Sequence, residues 1–316
     1  MVRFARKEIC CILLCCILIT GCQREVAGKV KRQPAESGGV SQSSLMRSET
    51  EVTAKTLKQG SRGKKNTDTL HFFDAQGKKW YDTTIDPKVK KHTYDWSCLK
   101  NKKHFVTYTG DNRYYLRRGV DVSHHQGSIN WKKVKAAGYD FAFLRIGYRG
   151  YGQSGSLNKD RQFQKNFKAA KKAGMDVGVY FFSQAVNTTE ALQEAAFVFK
   201  QLKGKKLELP VVYDPERILG ASARTDGVSG KQFTMNTIAF CEKIKKAGYQ
   251  PMIYSNMYWE AFLFDMEKLS IYPVWYADYK KVPQTPYEFT FWQYTSKGKV
   301  NGIAGTVDLN VWFCRR

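Results

Sequence analysis

The stretch Lys171-Lys172-Ala173-Gly174-Met175-Asp176-Val177-Gly178-Val179-Tyr180-Phe181-Phe182 decides the fold. Its lysines end a helical pattern, where cations suit the negative end of the helix dipole. Gly174 suits the left-handed position that closes a helix. The apolar run behind it reads as a buried strand. The same order recurs in Lys135-Ala136-Ala137-Gly138 before Tyr139-Asp140-Phe141-Ala142-Phe143-Leu144. It recurs again in Lys245-Lys246-Ala247-Gly248 before Tyr249-Gln250-Pro251-Met252-Ile253-Tyr254. Gly204, ahead of Leu207 to Tyr213, is a weaker fourth copy. A helix end, a glycine and a strand, repeated, is the rhythm of β/α units.

Working outward from these repeats, strands are expected near 118–122, 140–147, 176–182, 208–214, 250–255, 272–277, 289–295 and 306–312. Helices are expected between the earlier ones, with Phe163, Phe167, Ala170 and Ala173 on one face of the first long helix. Leu192, Ala195, Ala196, Phe199 and Leu202 form the face of the next, capped by Asn187 with Glu190 three residues on. The last three strands are joined by loops. The expected α/β fold is an irregular barrel of eight strands and about five helices over 117–316, preceded by a small N-terminal β extension over 70–116. An open doubly wound sheet is the alternative.

Acids gather where strands are expected to meet the rim of such a barrel: Asp121, Asp214 with Glu216, Asp278 and Asp308. In β/α barrels that rim carries catalysis. In Tyr213-Asp214-Pro215-Glu216 the two acids project to one side of an extended segment, with Cα atoms roughly 6.5 Å apart. Pro215 keeps Asp214 extended and cannot donate to a ladder, so the strand is expected to end there. Two carboxyls so placed titrate apart, one keeping its proton. Glycosidic cleavage needs such a pair, an acid for the leaving oxygen and an anion for the oxocarbenium-like centre. Alone, a D-x-E is weak evidence, since most are solvated turn residues.

The motifs around these acids resemble a known family. Gly119-Val120-Asp121-Val122-Ser123-His124-His125-Gln126-Gly127-Ser128-Ile129-Asn130-Trp131 resembles the opening motif of glycoside hydrolase family 25, the Chalaropsis-type lysozymes. Further matches, in the family's order, are Phe143-Leu144-Arg145-Ile146-Gly147-Tyr148, Val177 to Phe182, the acids at 214 and 216, Trp275-Tyr276-Ala277-Asp278-Tyr279, Trp292-Gln293-Tyr294-Thr295 and Val307-Asp308-Leu309-Asn310. The resemblance implies a β/α barrel of eight strands and five helices. It also implies hydrolysis of the β-1,4 bond between N-acetylmuramic acid and N-acetylglucosamine in peptidoglycan. By position it makes Glu216 the proton donor, Asp214 its partner, and Asp121 and Asp308 supporting acids. Pro215 departs from the branched apolar residue usual between the acids, and the third strand reads Tyr180-Phe181-Phe182 where the family commonly places a histidine near its end. A catalytically inactive wall-binding lipoprotein on the same fold is the rival, which the presence of all four acids disfavours.

Tyr180, Tyr254, Trp275, Asp278, Tyr279 and Gln293 are candidates for contact with sugar, although aromatics in strands are more often core. No metal site and no cofactor is expected. The adjacent histidines His124 and His125, on an extended segment, would face opposite ways. Gly150-Tyr151-Gly152-Gln153-Ser154-Gly155 matches a dinucleotide fingerprint by letter but lacks the acid at the end of the next strand, so it is expected to be a glycine-rich rim loop.

The start of the chain reads as an export signal over 1–21: Arg3, Arg6 and Lys7, then an apolar run from Ile9 to Thr20, too short to cross ~30 Å of hydrocarbon. Ile19-Thr20-Gly21-Cys22 resembles a bacterial lipobox, which implies lipid on Cys22, a membrane partner and an extracytoplasmic address. A polar stretch over 22–69 reads as a tether. Of the eight cysteines, Cys98, Cys241 and Cys314 follow it. Cys241 sits in a helical apolar pattern, and Cys98 with Cys314 is the candidate disulfide. The balance of 52 Lys and Arg against 28 Asp and Glu, a formal +24, attracts polyanions. With export, anionic wall polymers are the expected partners and nucleic acid is not.

Overall fold

The computed structural model describes residues 68–102 and 105–316. The expected leader, Cys22 and nearly all of the tether lie outside the described residues. The chain divides into Met1–Lys64 and Lys65–Arg316, and everything below belongs to the second unit.

Two hairpins come first, β1 (Thr69–Asp74) with β2 (Lys79–Thr84), and β3 (Leu99–Lys102) with β4 (Phe105–Tyr108). Then follow β5 (Tyr114–Val122), α1 (Trp131–Ala136), β6 (Phe141–Arg149), β7 (Leu157–Lys159), α2 (Phe163–Lys172), β8 (Asp176–Ser183), α3 (Thr188–Leu202), β9 (Val211–Pro215) and α4 (Gly230–Lys246). The chain ends with β10 (Pro251–Ser255), the short α5 (Met257–Phe262) and α6 (Met266–Leu269), β11 (Val274–Ala277), β12 (Phe291–Gly298) and β13 (Val307–Arg315). Eight strands run in the order β5-β13-β12-β11-β10-β9-β8-β6, and pairing of β5 with β6 closes the barrel. The fifth helical segment, between β10 and β11, is broken into α5 and α6. Gly150 to Gly155 is the turn of a hairpin that pairs β6 with β7, and so leads into a strand before the helix.

The repeated Lys-Ala-Gly ends behave as their sequence demands. Gly138, Gly174, Gly204 and Gly248 have φ of 85°, 75°, 74° and 83°, the left-handed region in which a Cβ would be strained. Asn187 caps α3, accepting from Glu190 N at 2.9 Å.

The face of α3 differs from expectation. Ala191, Glu194, Ala195, Val198 and Leu202 are buried, whereas Leu192 and Phe199 are 43% and 51% exposed and Ala196 is exposed. The helix is rotated toward Glu194, which is 0% exposed and accepts from Arg149 Nε and Ser183 Oγ, both at 2.7 Å. An ion pair fixed from β6 therefore outranks the apolar stripe. The disulfide expectation is also corrected, since Cys98, Cys241 and Cys314 are free thiols. Cys98 turns its sulfur toward Gly110, and the Cys314 sulfur lies 3.8 Å from Trp312 O. Cys241 is fully buried in the core, as its apolar setting suggested.

Candidate active site

Alternation along the strands builds the site. Phe141, Phe143, Val212, Met252, Tyr254, Trp275, Ala277 and Phe291 share one cluster inside the barrel. Their neighbours Ala142, Leu144, Val211, Tyr213, Ile253, Val274 and Tyr276 belong to the core beneath the helices. Continuing the inward two-residue step brings Arg145 after Phe143, Asp214 and Glu216 after Val212, and Gln293 after Phe291. Asp121, Tyr180, Asp308 and Asn310 join them from β5, β8 and β13. The polar site is thus the top layer of the barrel's own packing.

Asp308 gets there by a route the sequence did not suggest. It sits at the start of β13, not at a strand's end. Because β13 runs antiparallel to both β12 and β5, its beginning shares the rim with the carboxyl ends of the other strands. Asp308 faces Asp121 in the ladder, and each carboxyl shifts the other.

Asp121 is 4% exposed and held by donors. Its Oδ2 accepts from Gln293 Nε2 at 2.9 Å and Asn310 Nδ2 at 2.8 Å. Gln293 Oε1 in turn accepts from the hydroxyls of Tyr254 at 3.1 Å and Tyr279 at 3.0 Å. Asn310 Oδ1 accepts from Trp275 Nε1 at 2.8 Å. Burial pushes Asp121 up to about 6, with Asn310 and Gln293 holding it down.

The other acids are less well served. Burial, with the charges of Glu216 and Asp121, pushes Asp214 well above the usual carboxylate range, against the pull of Arg145. Asp214 Oδ1 is buried with no hydrogen-bond partner. Burial and the charges of Asp121 and Glu216 raise Asp308 similarly. Glu216 is raised to about 7 by burial and by Asp121, opposed by Arg145 and a hydrogen bond from Gln76. Arg145 is the cation facing all this charge. It is 6% exposed and tied by Nε to Asp160 Oδ2 at 3.0 Å and by its guanidinium to His124. Of the four acids it relieves Asp214 and Glu216 and is itself bound to Asp160, so the four interacting carboxyls cannot all ionise and retain protons near neutrality. A carboxylic acid and a carboxylate then coexist in one cleft, as bond cleavage at an acetal requires.

The candidate sugar contacts divide. Tyr279 is 46% exposed and Tyr180 is half-buried, so both present surface to the cleft. Trp275 does not: it is 1% exposed, with Phe143 stacked 4.7 Å away, and it serves Asp121 through Asn310. Tyr254 and Gln293 are likewise buried members of that chain of hydrogen bonds. Asp278 lines a cavity with Gln76, Tyr254 and Tyr279 but spends its oxygens on the loop that follows. Its carboxyl accepts from Lys280 N at 3.0 Å, Gln284 N at 2.8 Å and Gln284 Nε2 at 3.1 Å, which organises the loop after β11. His124 and His125 lie on a single 3-10 turn, not an extended segment, with ring centroids 4.0 Å apart.

Two residues of the site were missed. Arg145 was read as part of a strand and of a motif shared with the family but given no role, although a charge one inward step after Phe143 was its signal. Gln76, in the turn between β1 and β2, donates Nε2 to Glu216 Oε2 at 3.5 Å. No local signal marks a contact between residues so far apart in sequence. At the barrel's other end, a cavity among Tyr94, Tyr114, Tyr272 and Phe313 gathers aromatics. Its one carboxylate, Glu288, is already paired with Lys90 and Arg315.

Comparison with known proteins gives this geometry a context. The family model described as glycosyl hydrolases family 25 matches residues 120–303. The chain is similar to lysozyme M1 of Streptomyces globisporus, 31% identical over 203 residues that cover 61% of this chain and 66% of that protein. It is also similar to the autolytic lysozyme of Clostridium acetobutylicum, 26% identical over 196 residues that cover 61% of this chain and 55% of that protein. The chain therefore spans between about half and two thirds of the length of these relatives. Among solved structures, the bacterial lysozyme from Streptomyces coelicolor superposes with a TM-score of 0.51 at 29% identity, covering 61% of this chain and 90% of that one.

Proposed function

The chain belongs to glycosyl hydrolase family 25, and on that premise we propose that it is a lysozyme. It hydrolyses the β-1,4 bond between N-acetylmuramic acid and N-acetylglucosamine in peptidoglycan. The observation that carries this is the gathering of Asp214, Glu216, Asp121 and Asp308 at one rim of the barrel, where burial raises Glu216 to about 7. Glu216 protonates the glycosidic oxygen. Asp214 holds the attacking group at the anomeric carbon, be it the substrate's acetamido oxygen or a water. Asp121, its anion stabilised by two amide donors, supports the developing positive charge, with Asp308 keeping a proton beside it. Tyr279 and Tyr180 line the sugar path.

The test is digestion of purified peptidoglycan followed by borohydride reduction. Muramitol at the new ends supports the proposal. Glucosaminitol instead, or binding with no new ends, contradicts it.

Export and anchorage complete the proposal. Cys22 carries a diacylglycerol that holds the protein on the outer side of the membrane, and the basic surplus retains it near anionic wall polymers. The lipobox-like Ile19-Thr20-Gly21-Cys22 and the +24 balance support this. One acyl chain binds marginally and two bind stably, so Cys22→Ala should leave the protein soluble or unprocessed. Normal cleavage with unchanged membrane fractionation would contradict the anchor. Added salt should weaken wall binding far more than it slows cleavage of a short soluble glycan.

A further inference from the structure

The β1–β2 hairpin precedes the residues matched by the family model, yet it is fastened to the rim beside Glu216. Asp74, 4% exposed, accepts from Gln76 N and Gly77 N, both at 3.1 Å, which closes the turn. The same carboxylate accepts from Arg217 at 2.6 Å, and the Arg217 guanidinium lies 3.5 Å from the centroid of the Tyr258 ring. Phe73 clamps the Gln284 amide, donating N–H to Oε1 at 2.8 Å and accepting from Nε2 at 3.1 Å. Phe72 is fully buried, with Phe262 at 6.0 Å between centroids. Asp74-Ala75-Gln76 therefore meets Glu216-Arg217, an ion pair beside a hydrogen bond to the acid.

The Gln76 amide is half used. Its Nε2 faces Glu216, while its Oε1 is buried with no partner. The nearby Asp214 Oδ1 is in the same condition. A buried acceptor left without a donor is costly, and such costs are relieved when a ligand brings the donor. Peptidoglycan sugars carry suitable donors in their hydroxyls and acetamido N–H groups. Resting on the function proposed above, we propose that Gln76 is a positioning residue for cleavage: Nε2 holds Glu216, and a turn of the side chain as substrate enters frees the buried Oε1 to take a sugar O–H or N–H. The hairpin thereby forms one wall of the substrate cleft.

Other charges also bear on Glu216. Asp121, Asp214, Asp308 and Arg145 reach it from the barrel strands, and Tyr254 and Tyr279 from β10 and the loop after β11. Asp74 and Arg217 pair with each other alongside. Gln76 is the neutral donor from outside the barrel, and its bond to the carboxylate pulls Glu216 downward. Losing that bond raises Glu216, which moves the alkaline limb of the activity profile to higher pH.

The experiment compares wild type, Gln76→Ala and Gln76→Glu on a soluble glycan fragment, with kcat and KM across pH and a melting curve for each. Gln76→Ala should raise KM about tenfold, as for one lost hydrogen bond, and shift the alkaline limb upward. Gln76→Glu keeps the shape, adds a like charge, and should shift the limb further. Wild-type KM and limb in both folded variants would overturn the proposal. So would a KM rise with an unmoved limb and a lowered melting temperature, which marks a structural effect. A wild type that cuts no glycan would instead sink the lysozyme proposal, and this one with it.

Discussion

Asp308 and Asp121 face each other across the ladder of β13 and β5, close enough for each carboxyl to shift the other. Asp121 raises Asp308 while Asp308 lowers Asp121, so their opposition favours a proton on Asp308. Both groups lie above the ordinary Asp value of 3.8 in the fold, Asp121 at about 6 and Asp308 well above its usual range.

The sign of the stability effect follows. A carboxyl raised by folding contributes stability that is complete below its unfolded value and lost as pH rises through its folded value. Wild type should lose stability from about pH 4 upward, through pH 6 and beyond. Asp308→Asn removes one such loss, so the variant should melt higher than wild type at pH 8, by ~2–4 °C per kcal/mol for a domain of this size. The gap should shrink toward pH 4. Thermal melts at both values check this, and an equal gap at both would contradict it.

Activity should also fall above neutrality. Glu216, raised to about 7, must be protonated to donate, so kcat/KM should decline above pH 7 with a slope near one proton. A rate that is flat to pH 9 would remove Glu216 as the acid.

Gln293 links the tyrosines to Asp121, which must be ionised to support positive charge. Gln293→Met keeps bulk but removes a donor, so Asp121 should rise and the acid limb should move to higher pH. Loss of one hydrogen bond to a charged group is worth ~1.5–3 kcal/mol, so kcat should fall at least tenfold with KM little changed. An effect confined to KM would instead make Gln293 a sugar contact.

Behind the rim, Glu194→Ala should destabilise the fold by ~3 kcal/mol, because Arg149 then keeps only the more distant Glu190 carboxylate, 3.9 Å away, and neutral acceptors such as Gly155 O. Denaturant unfolding reads this directly. A loss below ~1 kcal/mol would mean that water or Gln193, whose Oε1 lies 3.3 Å from Arg149 NH2, takes over.

Much of this was legible locally. The Lys-Ala-Gly ends and apolar runs marked helix stops and strands because glycine at positive φ is a backbone requirement, and two-residue alternation put Asp214 and Glu216 on one face. What escaped depends on contacts remote in sequence. Glu194 reads as solvated until Arg149 is brought to it, which turned α3 away from the Leu192 and Phe199 stripe. Trp275 reads as a sugar platform until Phe143 covers it. Gln76 lies in a turn whose composition signals only a turn. Asp308 was placed at a strand's end because strand direction, set by pairing with β5 and β12, is not written in the strand itself.

The central claim is that Glu216 supplies the proton for glycosidic cleavage, and turnover of Glu216→Gln tests it most directly. The substitution preserves shape and the contact with Gln76 but removes the transferable proton. General acid catalysis is worth ~10²–10⁴-fold, so release of reducing ends from peptidoglycan should fall at least a hundredfold, with the melting temperature at pH 6 unchanged or raised. A folded variant that keeps more than a tenth of wild-type turnover would contradict the account.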